Sequence, residues 1–366
     1  MEINNIGKIA IRKLYRALDR LFGFFDYRSV EVIAEEEIEK RILPGRKIIF
    51  YVGKKYDYGK RDWGLSYDHI IFYCTLARMD YSLVYFDYDR FKQRYGAKKM
   101  SRILREAVYL FQPEILFYSH SEDWVDHKLW QEISEELPTR SIIFLPDDHM
   151  QYDSTKPVWK LFNLVVTTDK NGLERRKREG FGNVFLGQYA CNHFIYKNLG
   201  LEKIYDVAFV GRCYGERKEF VDGLRKKGIN VKTFGQGWEK GERINRGDLV
   251  KVYNMSKISL NMSLSYAYVY TIKGRDFEPQ CCGSMLFTRD SKDIAEYFAV
   301  GREIVTYKDA KDAAEKIKYY LEHGKEREII AENGRRKTLE SHTYEKRLRD
   351  IFDHADGLKK NKIISI

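Results

Sequence analysis

Short apolar runs that alternate with helical patterns constrain the fold of this chain more than any other feature. A first set of such runs lies at residues 47–53, 82–88, 114–119, 141–146, 164–169 and 183–188. Short apolar runs that end at turn residues are typical of buried strands. Because helical patterns lie between several of them, we expect these strands to form a parallel sheet through right-handed crossovers.

The same pattern then restarts, which indicates a second sheet. Its apolar runs lie at residues 205–211, 229–235, 258–263, 284–288 and 303–307. A chain of 366 residues is also longer than one hydrophobic core usually organises. We therefore predict an α/β protein with two Rossmann-like domains, and segment boundaries at 1–45, 46–195, 196–342 and 343–366.

The net charge of +11 favours negatively charged partners, namely nucleic acid, anionic lipid or phosphorylated small molecules. The five cysteines form neither a disulfide framework nor a CxxC metal pattern, which favours a reducing compartment. The chain also lacks an apolar run of about eighteen residues and a signal-peptide pattern. We therefore expect a cytoplasmic protein.

Residues 5–25 predict a basic amphipathic helix. Apolar residues recur there at spacings of three and four, and lysines and arginines occupy the remaining positions. Such a helix can lie on an anionic membrane surface. The alternative is a helix that docks on the body of the protein with its cations in water, and the sequence leaves both options open.

The strand at 205–211 is followed by residues suited to binding a phosphate. Gly211 and Arg212 come directly after the strand, and Lys218 stands at the start of the next helix. Glycine allows close backbone approach, a helix N-terminus offers free N–H groups, and cations neutralise phosphate. Neither GxxxxGK[ST] nor GxGxxG occurs here. A loop with solvated charges remains the alternative.

The segment "KGRDFEPQCCG" combines a basic pair with a single carboxylate. Lys273 and Arg275 precede Phe277 and Glu278, and Pro279 fits the first turn of a helix. A carboxylate in this place can accept hydrogen bonds from the two hydroxyls of a vicinal diol. The alternative is a helix-start carboxylate stabilised by the helix dipole.

The first half offers two loops at strand ends. "YDYGKRDWGLSYDH" follows the first strand, and Gly64 there can admit a ligand close to the backbone. "LPDDHMQYD" places Asp147, Asp148 and His149 past another strand, where they could orient hydroxyls or transfer protons. His120 ends a third strand. Loop-surface and helix-capping roles are the alternatives.

These segments together resemble a known family. "RDFEPQCCGSMLFT", "DVAFVGRCYGERKEFVDGLRKKGINVKTFGQGW", "FLPDDHMQYD" and "YDYGKRDWGLSYDH" are similar to CgeB-like, spore-maturation type glycosyltransferases. The resemblance covers roughly residues 46–352 in order. It extends to the retaining GT-B glycosyltransferases that include glycogen and sucrose synthases.

The resemblance implies a GT-B fold with a deep inter-domain cleft and transfer of a sugar from a nucleotide-diphosphate-sugar donor. The domain at 46–195 would face the acceptor, 196–342 would bind the donor, and the helix within 343–366 would pack back on the first domain. The acceptor could be a glycan, a lipid-linked molecule or a protein. The resemblance also implies hexosyl transfer, retention of configuration, and no bound metal or other cofactor, whereas nucleic acid is not expected as a partner.

Residue roles follow from the same resemblance. Glu278 matches the glutamate that holds the ribose. Arg212 matches the arginine of the diphosphate-binding pair, and Lys218 matches its lysine only approximately in position. The resemblance also favours ligand-binding roles for the remaining candidates. Those on the donor side are Gly211, Lys273, Arg275, Phe277 and Gly64, and those on the acceptor side are Asp147, Asp148 and His120. Catalytic roles are predicted for Asp148, His149, Arg212 and Lys218.

One position departs from the family pattern. Wider-family members carry a second glutamate eight positions before the first, whereas this chain has Tyr270 there. The sugar and the reaction geometry are therefore open, and a non-catalytic nucleotide-sugar-binding scaffold remains an alternative. A basic nucleic-acid-binding protein is the other alternative, although no helix-turn-helix, RRM or zinc pattern occurs.

Overall fold

The computed structural model describes residues 29–120, 125–239, 241, 243–263 and 270–358. The amphipathic helix predicted at 5–25 lies outside the described residues. The chain forms two compact units, one containing residues up to Leu186 together with those from Phe352 onward, and the other containing Gly187–Ile351. Each unit is built around its own sheet.

The first unit contains a seven-stranded sheet in the order β1-β3-β2-β4-β5-β6-β7. All neighbouring strands are parallel except β1, which runs antiparallel to β3. The strands are β1 (Glu39–Arg41), β2 (Ile48–Gly53), β3 (Ser82–Asp87), β4 (Ile115–Ser119), β5 (Arg140–Leu145), β6 (Leu164–Thr167) and β7 (Val184–Leu186). The sequence pattern missed β1, because its three residues are charged and carry no apolar signal.

Helices connect these strands. They are α1 (Val30–Glu36), α2 (Cys74–Leu76), α3 (Tyr88–Phe111), α4 (His127–Glu136), α5 (Asp148–Trp159) and α6 (Lys170–Arg178). A π-helical turn, His69–Tyr73, leads into α2, and two 3-10 turns, Asp57–Gly59 and Arg61–Trp63, follow β2. Buried residues of strands and helices form the core. The central strands are buried on both faces, which is why they read as continuous apolar runs.

The second unit contains a five-stranded parallel sheet in the order β12-β11-β10-β8-β9. Its strands are β8 (Tyr205–Val210), β9 (Val231–Phe234), β10 (Ser256–Asn261), β11 (Met285–Arg289) and β12 (Val305–Tyr307). Its helices are α7 (Arg217–Lys226), α8 (Arg246–Asn254), α9 (Glu278–Cys281), α10 (Ala310–Glu322), α11 (Gly324–Ser341) and the start of α12 (Tyr344–Gly357). The predicted alternation of strand and helix is confirmed in both units.

The end of α12 belongs to the first unit. Phe352 packs edge-on against Phe117 of β4, and Asp356 forms an ion pair with Lys47. Arg140 also donates a hydrogen bond to the carbonyl oxygen of Leu358. The C-terminal residues therefore complete the core of the unit in which the chain begins.

Strand order shows where each sheet can receive a ligand. In the first sheet the chain passes from β2 to β3 on one side and to β4 on the other, and in the second it passes from β8 to β9 and then to β10. Ligands of open α/β sheets bind beyond the carboxyl ends of the strands at such switch points. The residues to inspect therefore follow β2 and β4 in the first unit, and β8 and β10 in the second.

Candidate functional site

The segment after β10 is anchored to the sheet by one buried carboxylate, Asp276. It accepts hydrogen bonds from Asn261 Nδ2 at 2.6 Å, the Ser263 hydroxyl at 2.6 Å, Thr288 Oγ1 at 3.0 Å and the backbone N–H of Lys273 at 2.9 Å. These donors belong to the ends of β10 and β11 and to the segment itself. Asp276 therefore holds Lys273, Arg275 and Glu278 at the carboxyl edge of the sheet.

Arg275 reaches the end of β8. Its Nη1 donates a hydrogen bond to the carbonyl oxygen of Val210 at 3.0 Å, and a Cβ placed on Gly211 would overlap that nitrogen. The absence of a side chain at Gly211 leaves the space that the guanidinium occupies. Two residues that the sequence predicted for donor binding are thus in contact at the switch point.

Glu278 begins α9 and is buried, with an exposed fraction of 2%. Burial raises the pKa of two neighbouring phenols, Tyr196 and Tyr253, and the charge of Glu278 raises the pKa of both further. Tyr196 in turn accepts a hydrogen bond from Arg246 Nη1 at 2.7 Å. The carboxylate predicted to bind a ribose therefore lies among phenol groups in a desolvated environment.

The loop after β8 is held by Arg217, which sequence reasoning overlooked. Its guanidinium is buried and donates to the carbonyl oxygens of Arg212 at 2.9 Å and Met262 at 2.8 Å. It thereby ties the end of β8 to the end of β10. The only available signal was its position beside Lys218, and a charged residue gives no sequence sign that it is buried.

Lys218 and Phe277 occupy surroundings that differ from the expectation. Lys218 is in the first turn of α7, but its side chain is 70% exposed and forms an ion pair with Asp222 at 2.6 Å. Phe277 is fully buried and packs against Phe298 and His342. We infer that Phe277 supports Glu278 by packing, since no part of its ring is available to a ligand.

The other predicted donor-side cations lie at the same edge. Arg212 is exposed after β8. Lys273 is half-buried, with its ammonium group 5.4 Å from the centroid of the Tyr189 ring. Together with Arg275 they place three cations in the segments that follow β8 and precede α9, which favours a bound anion.

Tyr270 takes part in a polar cluster with two residues that the sequence did not single out. Its hydroxyl contacts the carboxylate of Glu216 and a guanidinium nitrogen of Arg289. Arg289 and Glu216 also form an ion pair at 2.8 Å. Glu216 comes from the loop after β8 and Arg289 ends β11. The structure therefore brings a carboxylate from a different strand end to the position where the family's glutamate is missing.

The switch point of the first sheet carries Asp68, also missed from sequence. Burial raises the pKa of Asp68 to about 6, and the charges of Asp147 and Asp57 add to this. The hydroxyl of Ser119, at the end of β4, and the charge of Lys54, after β2, oppose the rise. Asp68 and Asp147 therefore lie close enough to interact at the carboxyl edge between β2 and β4.

The candidates predicted in the first half separate into different surroundings. His120 is buried directly after β4, with Nδ1 3.2 Å from the Tyr118 hydroxyl oxygen. Asp147 precedes α5 with a left-handed φ of 53°, uncommon for a residue with a side chain. His149 is half-buried in the first turn of α5. Gly64 lies in the exposed loop after β2, and its role in donor binding stays a prediction.

Asp148 differs from its neighbours, because its carboxylate is engaged in the interior. It is fully buried and its two oxygens accept hydrogen bonds from both terminal nitrogens of Arg176, at 2.5 and 2.9 Å. Thr167 donates to the same carboxylate at 2.5 Å. The Arg176 guanidinium lies 4.5 Å from the ring centroid of Tyr152 and 4.7 Å from that of Trp159. This geometry favours a structural role over the predicted catalytic one.

Within the described residues, no group of three or more His, Cys, Asp and Glu side chains is arranged to hold a metal ion. No helix in that part of the chain is long and apolar enough to cross a membrane.

The fold is shared with glycosyltransferases of known structure. HepE of Anabaena, solved in complex with UDP and glucose, aligns with a TM-score of 0.57 and 12% identity over 85% of this chain and 100% of that chain. Sucrose-phosphate synthase of Thermosynechococcus elongatus aligns with a TM-score of 0.53 and 11% identity over 84% of this chain and 98% of that chain. The protein therefore has the GT-B fold predicted from its sequence.

Sequence comparison adds a more specific relationship. Residues 217–353 match the model of the glycosyl transferase-like family. The spore protein CgeB of Bacillus subtilis is 21% identical over 269 residues, which cover 65% of this chain and 81% of that protein. The resemblance to CgeB-like proteins seen in the sequence is confirmed. The family match includes Arg217, Tyr270, Arg275 and Glu278.

Proposed function

We propose that this protein is a glycosyltransferase that uses a nucleoside diphosphate sugar as its donor. The observation that carries the proposal is the convergence of Gly211, Arg275 and Glu278 at the switch point of the second sheet. There a desolvated carboxylate lies close to positive charge and to the end of a strand, an arrangement suited to a ribose linked to a diphosphate. The match to the glycosyl transferase-like family supports the same activity.

In the proposed complex, Glu278 accepts hydrogen bonds from the two ribose hydroxyls. Arg275, Arg212 and Lys273 offset the charge of the diphosphate. Lys218 contributes only if its ammonium group exchanges Asp222 for the ligand, an exchange that its exposed position permits. The structures of HepE contain UDP with glucose or UDP-glucose, so a uridine nucleotide is the first donor to test.

The chemical step breaks the bond between the anomeric carbon and the diphosphate oxygen, and an acceptor oxygen bonds to that carbon. Cations placed where negative charge develops on the leaving diphosphate lower the barrier to this step. We propose that Arg212 and Arg275 do this without a bound metal. Transfer of a hexose with retention follows from the resemblance to retaining GT-B enzymes.

We propose that Asp68 takes the acceptor-side role that the sequence suggested for Asp148. It lies at the switch point of the first sheet, and a carboxyl group with a pKa of about 6 can exchange protons near neutral pH. Asp147, His120 and His149 remain candidates to orient the acceptor. The acceptor would be a glycan, a lipid-linked molecule or a protein, and residues 5–25 would favour one presented at an anionic membrane surface.

Thermal unfolding with a panel of nucleoside diphosphates and their sugars, without added metal, tests the donor site. A ligand present at one hundred times its dissociation constant stabilises the native state by about 2.7 kcal/mol. We expect one nucleotide to raise the unfolding midpoint of the wild type and to have much less effect on Glu278→Ala. The Glu202→Ala variant, at an exposed carboxylate of the same unit, is the control.

Two outcomes would contradict the proposal. If no nucleotide stabilises the wild type and RNA or DNA binds in a salt-dependent manner, the protein is a nucleic-acid-binding protein. If a nucleotide sugar binds but no sugar is transferred or hydrolysed with any acceptor, the protein is a nucleotide-sugar-binding scaffold. The presence of Tyr270 where wider-family members carry a glutamate is the feature that favours this second outcome.

A further inference from the structure

The loop between β2 and the π-helical turn presents two aromatic rings to solvent. Tyr58 is 67% exposed and Trp63 is 43% exposed, and their rings meet edge-to-face with centroids 5.4 Å apart. Adjacent exposed aromatic rings often mark a binding surface, because Tyr and Trp offer rigid contact area with little loss of conformational entropy on binding. The rest of the loop shows how they are held in place.

Backbone hydrogen bonds brace this loop. The N–H of Asp57 donates to the carbonyl oxygen of Gly64 at 3.0 Å, and Ser66 Oγ donates to that of Lys54 at 2.6 Å. Tyr58 adopts a left-handed φ of 50°, which costs energy for a residue with a Cβ. Gln93 of α3 also donates to the carbonyl oxygen of Gly59 at 3.3 Å. The aromatic pair is therefore presented by a structured loop.

A cavity of about 530 Å³ lies against the same loop, at the carboxyl ends of β2 and β3. Loop residues Tyr56, Gly59 and Arg61 line one part of it, and Asp89 and Gln93 of α3 line another. Amide, guanidinium and carboxylate groups in one cavity can both donate hydrogen bonds to hydroxyl groups and accept them. A ligand with many hydroxyl groups matches this lining.

The charges around the cavity favour an uncharged ligand. The cations of its lining are matched in number by nearby carboxylates: Lys55, Arg61, Arg90 and Arg94 against Glu37, Glu39, Asp87 and Asp89. Two further loop cations, Lys54 and Lys60, lie 5.8 Å from the Tyr58 ring centroid and 4.7 Å from that of Trp63, and Asp57 and Asp62 of the same loop match them in number. Lys55 is paired with Glu39 at 3.0 Å, and Arg90 and Arg94 are both paired with Glu37, at 3.4 and 3.3 Å. An anionic ligand would have to compete with these ion pairs. A sugar can bind without breaking them.

We propose that the loop at residues 54–66 and the adjoining cavity bind a neutral saccharide that is the acceptor of the reaction. The apolar C–H face of a sugar ring would pack against Tyr58 and Trp63, and its hydroxyl groups would bond to the polar cavity lining. This inference rests on the proposed function, and it selects a glycan acceptor over a protein.

Retention of the full chain on a panel of immobilised neutral oligosaccharides tests the inference, with a sulfated oligosaccharide as the charged comparison. We expect the wild type to bind at least one neutral oligosaccharide, and Tyr58→Ala and Trp63→Ala to weaken that binding at least tenfold. Leu65→Ala, which removes an exposed apolar side chain from the same loop, should change the affinity less than threefold. These positions are exposed, so the variants should fold.

The response to UDP, measured on the same samples by thermal unfolding, separates the two hypotheses. Unchanged stabilisation by UDP with weakened oligosaccharide binding in both aromatic variants supports the inference. If the wild type binds UDP but no neutral oligosaccharide, or if the aromatic variants bind saccharide as the wild type does, the inference is wrong and the proposed function stands. Binding of only the sulfated oligosaccharide also overturns the inference. If no nucleoside diphosphate or nucleotide sugar of the panel stabilises the wild type, the proposed function itself is contradicted.

Discussion

Arg275 occupies the space that a side chain on Gly211 would need. Its Nη1 donates to the carbonyl oxygen of Val210 at 3.0 Å, directly beside that glycine. The glycine at the end of β8 and the arginine sixty-four positions later therefore form one unit of the proposed donor site. Glycine is required here for a steric reason, because a side chain at position 211 would displace the charged guanidinium of Arg275.

The substitution Gly211→Ala tests this relationship. The added methyl group should displace the Arg275 guanidinium and weaken binding of the nucleoside diphosphate at least tenfold, about 1.4 kcal/mol. Because Gly211 has a φ of 156°, a backbone conformation that residues with a side chain rarely adopt, the unfolding midpoint should also fall below that of the wild type. Titration calorimetry with UDP measures the affinity. Gly223→Ala, at a helical position with open space around it, is the control, and equal affinities of the two variants would refute the prediction.

Arg217 and Lys218 are adjacent, but we predict that substituting them changes the free energy of unfolding by very different amounts. Arg217→Met removes the buried guanidinium that donates to the carbonyl oxygens of Arg212 and Met262, and should lower the free energy of unfolding by about 2–5 kcal/mol. Lys218→Ala, at a side chain that is 70% exposed, should change it by less than about 0.5 kcal/mol. Urea unfolding measures both.

The same pair of variants tests the diphosphate role of Lys218. A loss of UDP affinity in Lys218→Ala at unchanged stability would support the role assigned from the sequence. Unchanged affinity would leave Lys218 as a surface residue paired with Asp222.

The buried ion pair of Asp148 and Arg176 should matter for stability. Removing one partner leaves the other charge buried and unpaired, so Asp148→Ala should cost about 3–5 kcal/mol. The double variant Asp148→Leu with Arg176→Met should recover much of that loss, because no charge stays buried. Urea unfolding of the single and double variants measures this. If Asp148→Ala is as stable as the wild type and yet lacks transferase activity, the carboxylate is catalytic and the structural role is wrong.

Asp68 should make the native state less stable as the pH rises from about 4 to 6. A carboxyl group whose pKa is raised by folding binds more protons in the native state across that window, so ionisation favours the unfolded chain. The side chain of Asn in Asp68→Asn stays uncharged, so the unfolding midpoint of this variant should rise relative to that of the wild type as the pH increases. Thermal unfolding at several pH values measures the difference.

Activity gives the second readout for Asp68. If Asp68 exchanges a proton with the acceptor, Asp68→Asn should lose transfer and should also lose the dependence of the rate on a group of pKa about 6, while UDP still binds. A variant that is more stable and equally active would show that the half-buried Asp68 carboxylate does not transfer a proton to or from the acceptor.

Much of the architecture is legible in the order of residues along the chain. Buried parallel strands need apolar side chains on both faces, so β2, β4 and β5 appear as continuous apolar runs. Ligand-binding residues of α/β sheets lie just beyond the carboxyl ends of the strands. That reasoning predicted donor-binding roles for Gly211, Arg275 and Glu278. Short polar strands such as β1 leave no such trace.

The sequence by itself determined that two parallel sheets form and that polar residues follow their strands, because the periodicity of apolar residues depends on burial alone. Only the tertiary structure decided which strand ends meet and which charges are buried. The order β10-β8-β9 places Met262 beside Arg212, and packing of α5 against α6 encloses Asp148 with Arg176. Both results depend on contacts between residues far apart in the chain, and local spacing carries no record of which distant partner satisfies a buried charge.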